Sequence, residues 1–465
     1  MEERTLKFVT DACRAALQAG PAEAVLKNVC TDSRFLQPGA LFFAIRGEAF
    51  DGHAFVVEAA AKGAVAVVVE RSRIAALKGR VPPACAVLLV DDTRAALGQL
   101  AAAYRREFSP RVTAVGGSNG KTTTKELIAS VLRQKLATLW SESSFNNDIG
   151  VPATLLRLES SHQAAVLEAG TNHPGELAPL VRLIQPQLGV ITSIGREHLE
   201  FFGDEAGVAQ EEGWLAELLP AEGKLFLNGD TPWTEAVATR TRAKMVRLGF
   251  GAHNDWRATK VRLDKNGVTF QVAAPRSELN GEYRVNLLGR HQAVNALLAI
   301  GVGAEHGLGR AEIQRGLAEC QPPKMRMQYW EANGVRVLDD CYNANADSMC
   351  AALETLADLP LQGRLVAVLG DMAELGAQSE SAHAEIGRRA AELKIGQLFT
   401  VGRNSAVTAR AARDAGLTRV IEFEDVEAAM RAVRNFLKPG DVVLFKASRA
   451  SRLERIAETL RSEKA

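Results

Sequence analysis

Short runs of aliphatic and β-branched residues alternate with longer, alanine-rich stretches that repeat apolar positions at helical spacing. Near the N-terminus, Leu41–Ile45 and Ala64–Val69 read as strands, with a helix over 54–62 that Gly63 stops. Further strands are expected in the β-branched run from Val112, over 164–170 and over 188–194. From Val261 to Val272 polar and apolar residues alternate around Asp264-Lys-Asn-Gly267, which predicts a hairpin, and a helical pattern resumes in Gly289–Ala296. At the C-terminal end, Leu365–Leu369, Gln397–Val401, Arg419–Phe423 and Val442–Phe445 are apolar runs separated by helical segments. That spacing predicts a doubly wound parallel sheet. The fold class is therefore α/β. A length of 465 residues suggests roughly three domains, placed at 1–90, 91–320 and 321–465, with Pro322-Pro323 as a linker.

Composition narrows the picture mainly by exclusion. Basic residues number 56 and acidic residues 55, so no global field favours nucleic acid, and an anionic ligand must be held locally. The charged N-terminus and the lack of a run of about 18 apolar residues predict a soluble, cytoplasmic chain without membrane insertion. Cys13, Cys30, Cys85, Cys320, Cys341 and Cys350 show no metal-type spacing and read as reduced thiols. The C-terminal region shows no glycine-rich dinucleotide fingerprint, because Gly370-Asp-Met-Ala-Glu-Leu-Gly376 follows its first strand.

One stretch carries explicit chemistry. In Val112-Thr-Ala-Val-Gly-Gly-Ser-Asn-Gly-Lys-Thr-Thr-Thr-Lys125, a β-branched run breaks at Gly117 and Gly120 and reaches Lys121-Thr122 at the start of a helix. Backbone N–H groups of Gly117, Ser118, Asn119, Gly120 and Thr123 would cradle phosphates, Lys121 would reach the outer ones, and the Thr122 hydroxyl would ligate Mg²⁺. Val115 stands where the longer phosphate-loop pattern has glycine, leaving the shorter G-x-x-G-K-T. Glu168, ending an apolar strand, is the expected second metal ligand, and His198 falls at the same kind of strand end. Ser33, Arg34, Asp51, Gly52 and His53 flank the first strand; they fit either a nucleotide-diphosphate site or a set of loop caps.

Taken together, the segments Thr31-Asp-Ser-Arg34, Asp51-Gly-His53, Gly117–Thr123, Asn146-Asn-Asp-Ile-Gly-Val-Pro152, Asp339-Asp-Cys-Tyr-Asn-Ala-Asn345, Gly370–Gly376 and Lys446-Ala-Ser-Arg449 resemble the ATP-dependent Mur ligases of bacterial peptidoglycan synthesis. Within that family they are most similar to the branch that adds D-alanyl-D-alanine. The resemblance implies an N-terminal uridine-nucleotide domain, a central ATPase and a C-terminal Rossmann-like lid. It implies that ATP and Mg²⁺ activate the carboxylate of a UDP-N-acetylmuramoyl-tripeptide as an acyl phosphate, which the dipeptide amine then attacks, and that the chain acts as a monomer. By position it assigns Lys121 to phosphate, Thr122 and Glu168 to one Mg²⁺, and His198 to a second. Asn295 would meet adenine, and Arg326 and Asp340 ATP phosphate and ribose. Asn147 would meet the muramoyl peptide, Asn343 and Asn345 the dipeptide, and Ser33, Arg34, Asp51, Gly52 and His53 the uridine diphosphate. Three positions depart from the pattern: Ala346 for proline, Ala447 for glycine, and Glu212 for a lysine that is carbamylated in the family. Glu212 then either reaches the second Mg²⁺ or is a solvated helix charge.

Overall fold

The computed structural model describes residues 1–47 and 50–461, so Glu48 and Ala49 of the loop before Asp51 lie outside the described residues. The chain forms two compact units. The first comprises residues 1–114, 136–170 and 179–186. Its five-stranded sheet runs Ala16–Ala19, Ala86–Val90, Ala66–Glu70, Ala40–Phe43 and Asn28–Cys30, antiparallel only at the Ala16–Ala19 edge. The central strands are buried on both faces, which is why they read as unbroken apolar runs rather than alternating ones. Phe42, Val67 and Val87 close over Val56 and Ala59 of the following helix. The helix expected over 54–62 opens instead as a 3₁₀ turn, Gly52–Phe55, before α-helix Val56–Ala61, because Asp51 caps the tight turn through the His53 N–H at 3.0 Å. A parallel pair, Thr138–Trp140 and Ala164–Glu168, also belongs to this unit.

The second unit holds residues 115–135, 171–178 and 187–465. Strands Leu188–Ile191, Lys224–Asn228, Lys244–Gly249 and Trp256–Asp264 are parallel neighbours; the expected hairpin pairs Gly267–Ala273 antiparallel with Trp256–Asp264, and Gly281–Val285 then pairs antiparallel with Gly267–Ala273 at the sheet edge. Helix Gln292–Glu305 is apolar on every side and lies in the core against this sheet. It starts three residues after Gly289, whose φ of +109° lies outside helical geometry. The strand expected to reach residue 194 stops at Ile191, since Thr192 and Ser193 turn their groups to the phosphate loop: Thr192 Oγ1 donates to Asn119 O at 2.6 Å.

The C-terminal sheet has the order Gln328–Ala332, Val335–Asp340, Val442–Lys446, Leu365–Gly370, Gln397–Val401 and Val420–Phe423. All neighbours are parallel except the first strand, an antiparallel edge that the apolar spacing did not announce. Val337, Val368, Phe399, Val443 and Phe445 form its inner face, covered by Ala429 and Val433 of one helix and Ile456 of another. No helix among the described residues is long and apolar enough to cross a membrane.

Candidate active site

Strand Arg111–Gly116 ends with Val115 fully buried, so the departure from the longer glycine pattern extends the strand and shortens the turn. Gly117 has φ +110°, and a Cβ there would sit 2.5 Å from Thr192 Oγ1; at Gly120, φ +86°, it would sit 2.8 Å from Asn295 Oδ1. Both positions require glycine twice over, by conformation and by room. Helix Lys121–Leu132 follows with no side-chain cap from Gly120. Its positive end therefore opens directly onto the turn, the geometry of an anion cradle. Asn295 sits behind the turn, donating to Gln292 Oε1 at 2.9 Å.

The charges here are buried and only partly compensated. Lys121 Nζ lies 3.2 Å from Glu197 Oε2 and 3.4 Å from the carbonyl of Ser118. Glu212 projects from helix Glu205–Glu217 and accepts the Gly117 N–H at 2.7 Å. Its exposure is 0%, so the reading of Glu212 as a solvated helix charge is overturned. Burial pushes its carboxyl up to about 8, Lys121 pulling it back and Glu197 adding to the rise. One carboxylate oxygen on each of Glu197 and Glu212 is buried without a hydrogen-bond partner. The neighbouring Glu211 is satisfied by contrast, accepting the N–H groups of Gly175 at 2.9 Å and Leu177 at 2.8 Å.

His198 stands at φ +49° with Nδ1 paired to Glu374, which fixes the ring and directs Nε2 away from that carboxylate. In the other unit Glu168 is 1% exposed; its Oε1 accepts from Asn146 Nδ2 at 2.8 Å while Oε2 has no partner. No group of three or more His, Cys, Asp or Glu among the described residues forms a ready metal cage. Mg²⁺ seldom needs one, being held by one or two carboxylates, water and substrate phosphates. Each residue by itself has the chemistry of such a ligand: Thr122 is a buried hydroxyl at its helix start, and Glu168 keeps an unused oxygen.

Other sequence-derived residues serve the protein's own scaffold. Asp340 accepts from Lys446 Nζ at 2.6 Å and from the Met327 N–H at 2.9 Å. Arg326 lies over the Tyr342 ring, 4.2 Å from its centroid. Asn345 caps helix Ala346–Asp358 through the Ser348 N–H at 2.9 Å and donates to Asn119 Oδ1 at 3.0 Å. Asn343 is exposed, its carbonyl accepting from Lys446 at 3.0 Å. Asn147 Oδ1 caps the Ile149 and Gly150 N–H groups. In the N-terminal cluster, Arg34 pairs with Asp32 at 2.6 Å, and Ser33 is buried with its carbonyl 2.9 Å from Lys62 Nζ. His53 Nδ1 meets Asp51 at 2.7 Å while Nε2 accepts the Glu70 N–H at 3.1 Å, so both ring nitrogens are committed. A Cβ at Gly52 would lie 2.7 Å from the Ile45 backbone. Residue spacing gave no sign of the partners Glu197 and Glu374, although Glu374 lies inside the Gly370–Gly376 motif and Glu197 directly precedes His198.

A parallel strand, a glycine turn and a helix opening on Lys-Thr define the phosphate-loop class of nucleotide-binding fold. Sequence comparison then places the chain more narrowly. Residues 25–105 match the Mur ligase family, catalytic domain; residues 115–303 the Mur ligase middle domain; and residues 325–449 the Mur ligase, glutamate ligase domain. UDP-N-acetylmuramoyl-tripeptide–D-alanyl-D-alanine ligases are similar over the whole length: that of Bacillus subtilis (strain 168) is 36% identical, covering 99% of each chain, and that of Escherichia coli (strain K12) 37%, covering 98% of each. A crystal structure of MurF from Acinetobacter baumannii superposes with a TM-score of 0.88 at 31% identity, covering 100% of both chains. MurF of Thermotoga maritima in complex with ADP gives 0.79 at 26% identity, covering 94% of this chain and 97% of that one. The chain belongs to the Mur ligase family and has its three-domain α/β fold.

Proposed function

We infer that this chain is an ATP-dependent amide ligase that joins D-alanyl-D-alanine to UDP-N-acetylmuramoyl-tripeptide in peptidoglycan precursor synthesis. The observation that carries the reading is the half-buried Lys121 beside an uncapped helix start, in a chain collinear with ligases of that name. A carboxylate is a poor acyl donor, and phosphorylation by ATP gives it a leaving group. Lys121 and the helix start offset the charge on the transferred phosphoryl group, and burial of the loop strengthens that contact. Thr122 and Glu168 would hold Mg²⁺, with His198 Nε2 as a further ligand. The ion supplies charge neutralisation of the phosphates when bound.

Asn295 and Asp340 belong to the nucleotide side in this reading, and Arg326 to its phosphates. Asn147 belongs to the muramoyl peptide, Asn343 and Asn345 to the dipeptide, and Ser33, Arg34, Asp51, Gly52 and His53 to the uridine diphosphate. The functional division is 1–90, 91–320 and 321–465, and the enzyme works in the cytoplasm as a monomer. The test is mass spectrometry of the reaction of ATP, UDP-N-acetylmuramoyl-tripeptide and D-alanyl-D-alanine. A product lighter by one water than the sum of its two organic substrates, with ADP released, is expected. ADP formation only with a different amine would move the chain to a sister ligase.

A further inference from the structure

The loop Gly195–His198 is gripped from both sides within the second unit. Toward the phosphate loop, the Gly195 N–H donates to Ser118 Oγ at 2.9 Å and Glu197 meets Lys121. On its other side stands Arg196. Its backbone N–H donates to Asp347 Oδ2 at 2.8 Å and its Nε to Asp347 Oδ1 at 2.8 Å. Its two terminal nitrogens reach Glu385 Oε2 at 2.6 Å and Oε1 at 3.0 Å. Asp347 lies in the first turn of helix Ala346–Asp358, whose N-cap Asn345 is the residue bonded to Asn119 of the phosphate loop. Glu385 comes from helix Ser379–Glu392. The fit leaves no slack, for a Cβ at Gly195 would lie 2.4 Å from Asp347 Oδ2.

These contacts differ in kind from ordinary surface ion pairs. The Arg196 side chain is only 25% exposed, and its planar fork takes both oxygens of Glu385 while also reaching Oδ1 of Asp347, a geometry an ammonium group cannot copy. Glu385 is held below the usual carboxylate range chiefly by Arg196. The partners come from residues 151 and 189 positions away, so the clamp exists only when helices Ala346–Asp358 and Ser379–Glu392 sit against the loop.

We propose that Arg196 is a positioning residue: by clamping Asp347 and Glu385 it holds the Tyr342-Asn-Ala-Asn345 segment against the phosphate loop, so that the activated acyl group meets the amine and not water. The proposal rests on the ligase reading above. The acyl phosphate has two fates. Attack of the amine nitrogen on the acyl carbon forms the C–N bond, breaks the C–O bond to phosphate and releases a proton. Attack of water on the same carbon returns the carboxylate and free phosphate. Both consume one ATP, but only the first makes amide, so the ratio of ADP to amide reads how well water is excluded.

The experiment measures that ratio, and KM for D-alanyl-D-alanine, in wild type, Arg196→Ala, Arg196→Lys and Glu385→Gln. Wild type should give a ratio near one. Arg196→Ala should raise both ratio and KM by roughly three- to tenfold, with Arg196→Lys and Glu385→Gln between, since lysine keeps the charge without the fork and glutamine keeps the fork with one neutral acceptor. If Arg196→Ala does not fold, the two milder variants carry the test. Equal losses of ADP and amide, with the ratio unmoved in every folded variant, would overturn the clamp. Failure of wild type to make amide would instead overturn the ligase reading.

Discussion

Two loops of this molecule present polar residues at the ends of parallel strands, and they treat charge in opposite ways. In the N-terminal cluster Asp32 and Asp51 are answered locally, Asp32 by Arg34 and Asp51 by the His53 N–H and ring. Around the phosphate loop, Glu197 and Glu212 each keep a buried oxygen without a partner, facing one lysine. A satisfied cap stabilises a turn and asks for nothing further. Buried, under-satisfied charge is costly, and folds retain it where function needs a perturbed environment. The contrast separates a loop with unmet buried charge from a cluster whose polar groups are already satisfied.

The largest effect should come from Lys121→Ala. Removing the cation from the buried loop is expected to cut kcat by about 10²-fold or more, the order seen when one preorganised electrostatic contact is lost. Steady-state ADP release checks it, and near-normal turnover would erase the contrast between the loops.

Glu212→Gln comes next and acts on stability. The folded carboxyl titrates near 8 and the unfolded one near 4.5, so folding takes up a proton between those values. The contribution of Glu212 is therefore fully present below about pH 4.5 and is lost as pH rises toward 8. Glutamine, neutral throughout, should be the more stable form at pH 8, by on the order of 1–3 kcal/mol, with the gap closing toward pH 5. Thermal unfolding of the ligand-free protein across that range measures it; parallel curves for both proteins would show that Glu212 carries no proton in the fold.

His53→Ala tests the scaffold side. It leaves the Glu70 N–H without its acceptor and Asp51 without its ring partner, and should cost about 1–3 kcal/mol in denaturant unfolding. The smallest change in stability belongs to Arg34→Ala, because that side chain is 80% exposed and pairs with a residue only two positions away. Its unfolding midpoint should stay where it is. A raised KM for the uridine-linked substrate alone would sharpen the comparison by giving this scaffold a binding duty.

What the sequence made legible was local. Gly117, Gly120 and Lys121 declare a turn and a helix start by residue type within five positions, and the hairpin at Asp264–Gly267 does the same. Strands such as Ala40–Phe43, Ala66–Glu70, Leu365–Gly370, Gln397–Val401 and Val442–Lys446 were readable because buried parallel strands are unbroken apolar runs, whereas Ala86–Val90, Lys224–Asn228 and Val335–Asp340 were passed over. Glu212 was not readable: in Gln210-Glu-Glu212 an acidic pair on a helix looks like a wet face, and only the packing of helix Glu205–Glu217 shows both glutamates buried. Arg196 was opaque for a simpler reason. Its partners lie more than 150 residues away, and no periodicity spans that distance. The antiparallel edge strand Gln328–Ala332 escaped because its residues are half exposed and lack a clean alternation.

The hydrogen bond from the Gly117 amide to Glu212 has a consequence for how the loop meets its ligand. Successive amides in a tight glycine turn carry partial positive charge, so the turn keeps its shape only where each finds an acceptor. Here internal acceptors supply that need: Glu212 takes the Gly117 N–H at 2.7 Å, and Ser193 takes the Ser118 N–H through its carbonyl at 2.8 Å and the Asn119 N–H through Oγ at 2.9 Å. The shape is thus acquired when the chain folds, and the nucleotide inherits a finished mould instead of having to cast it.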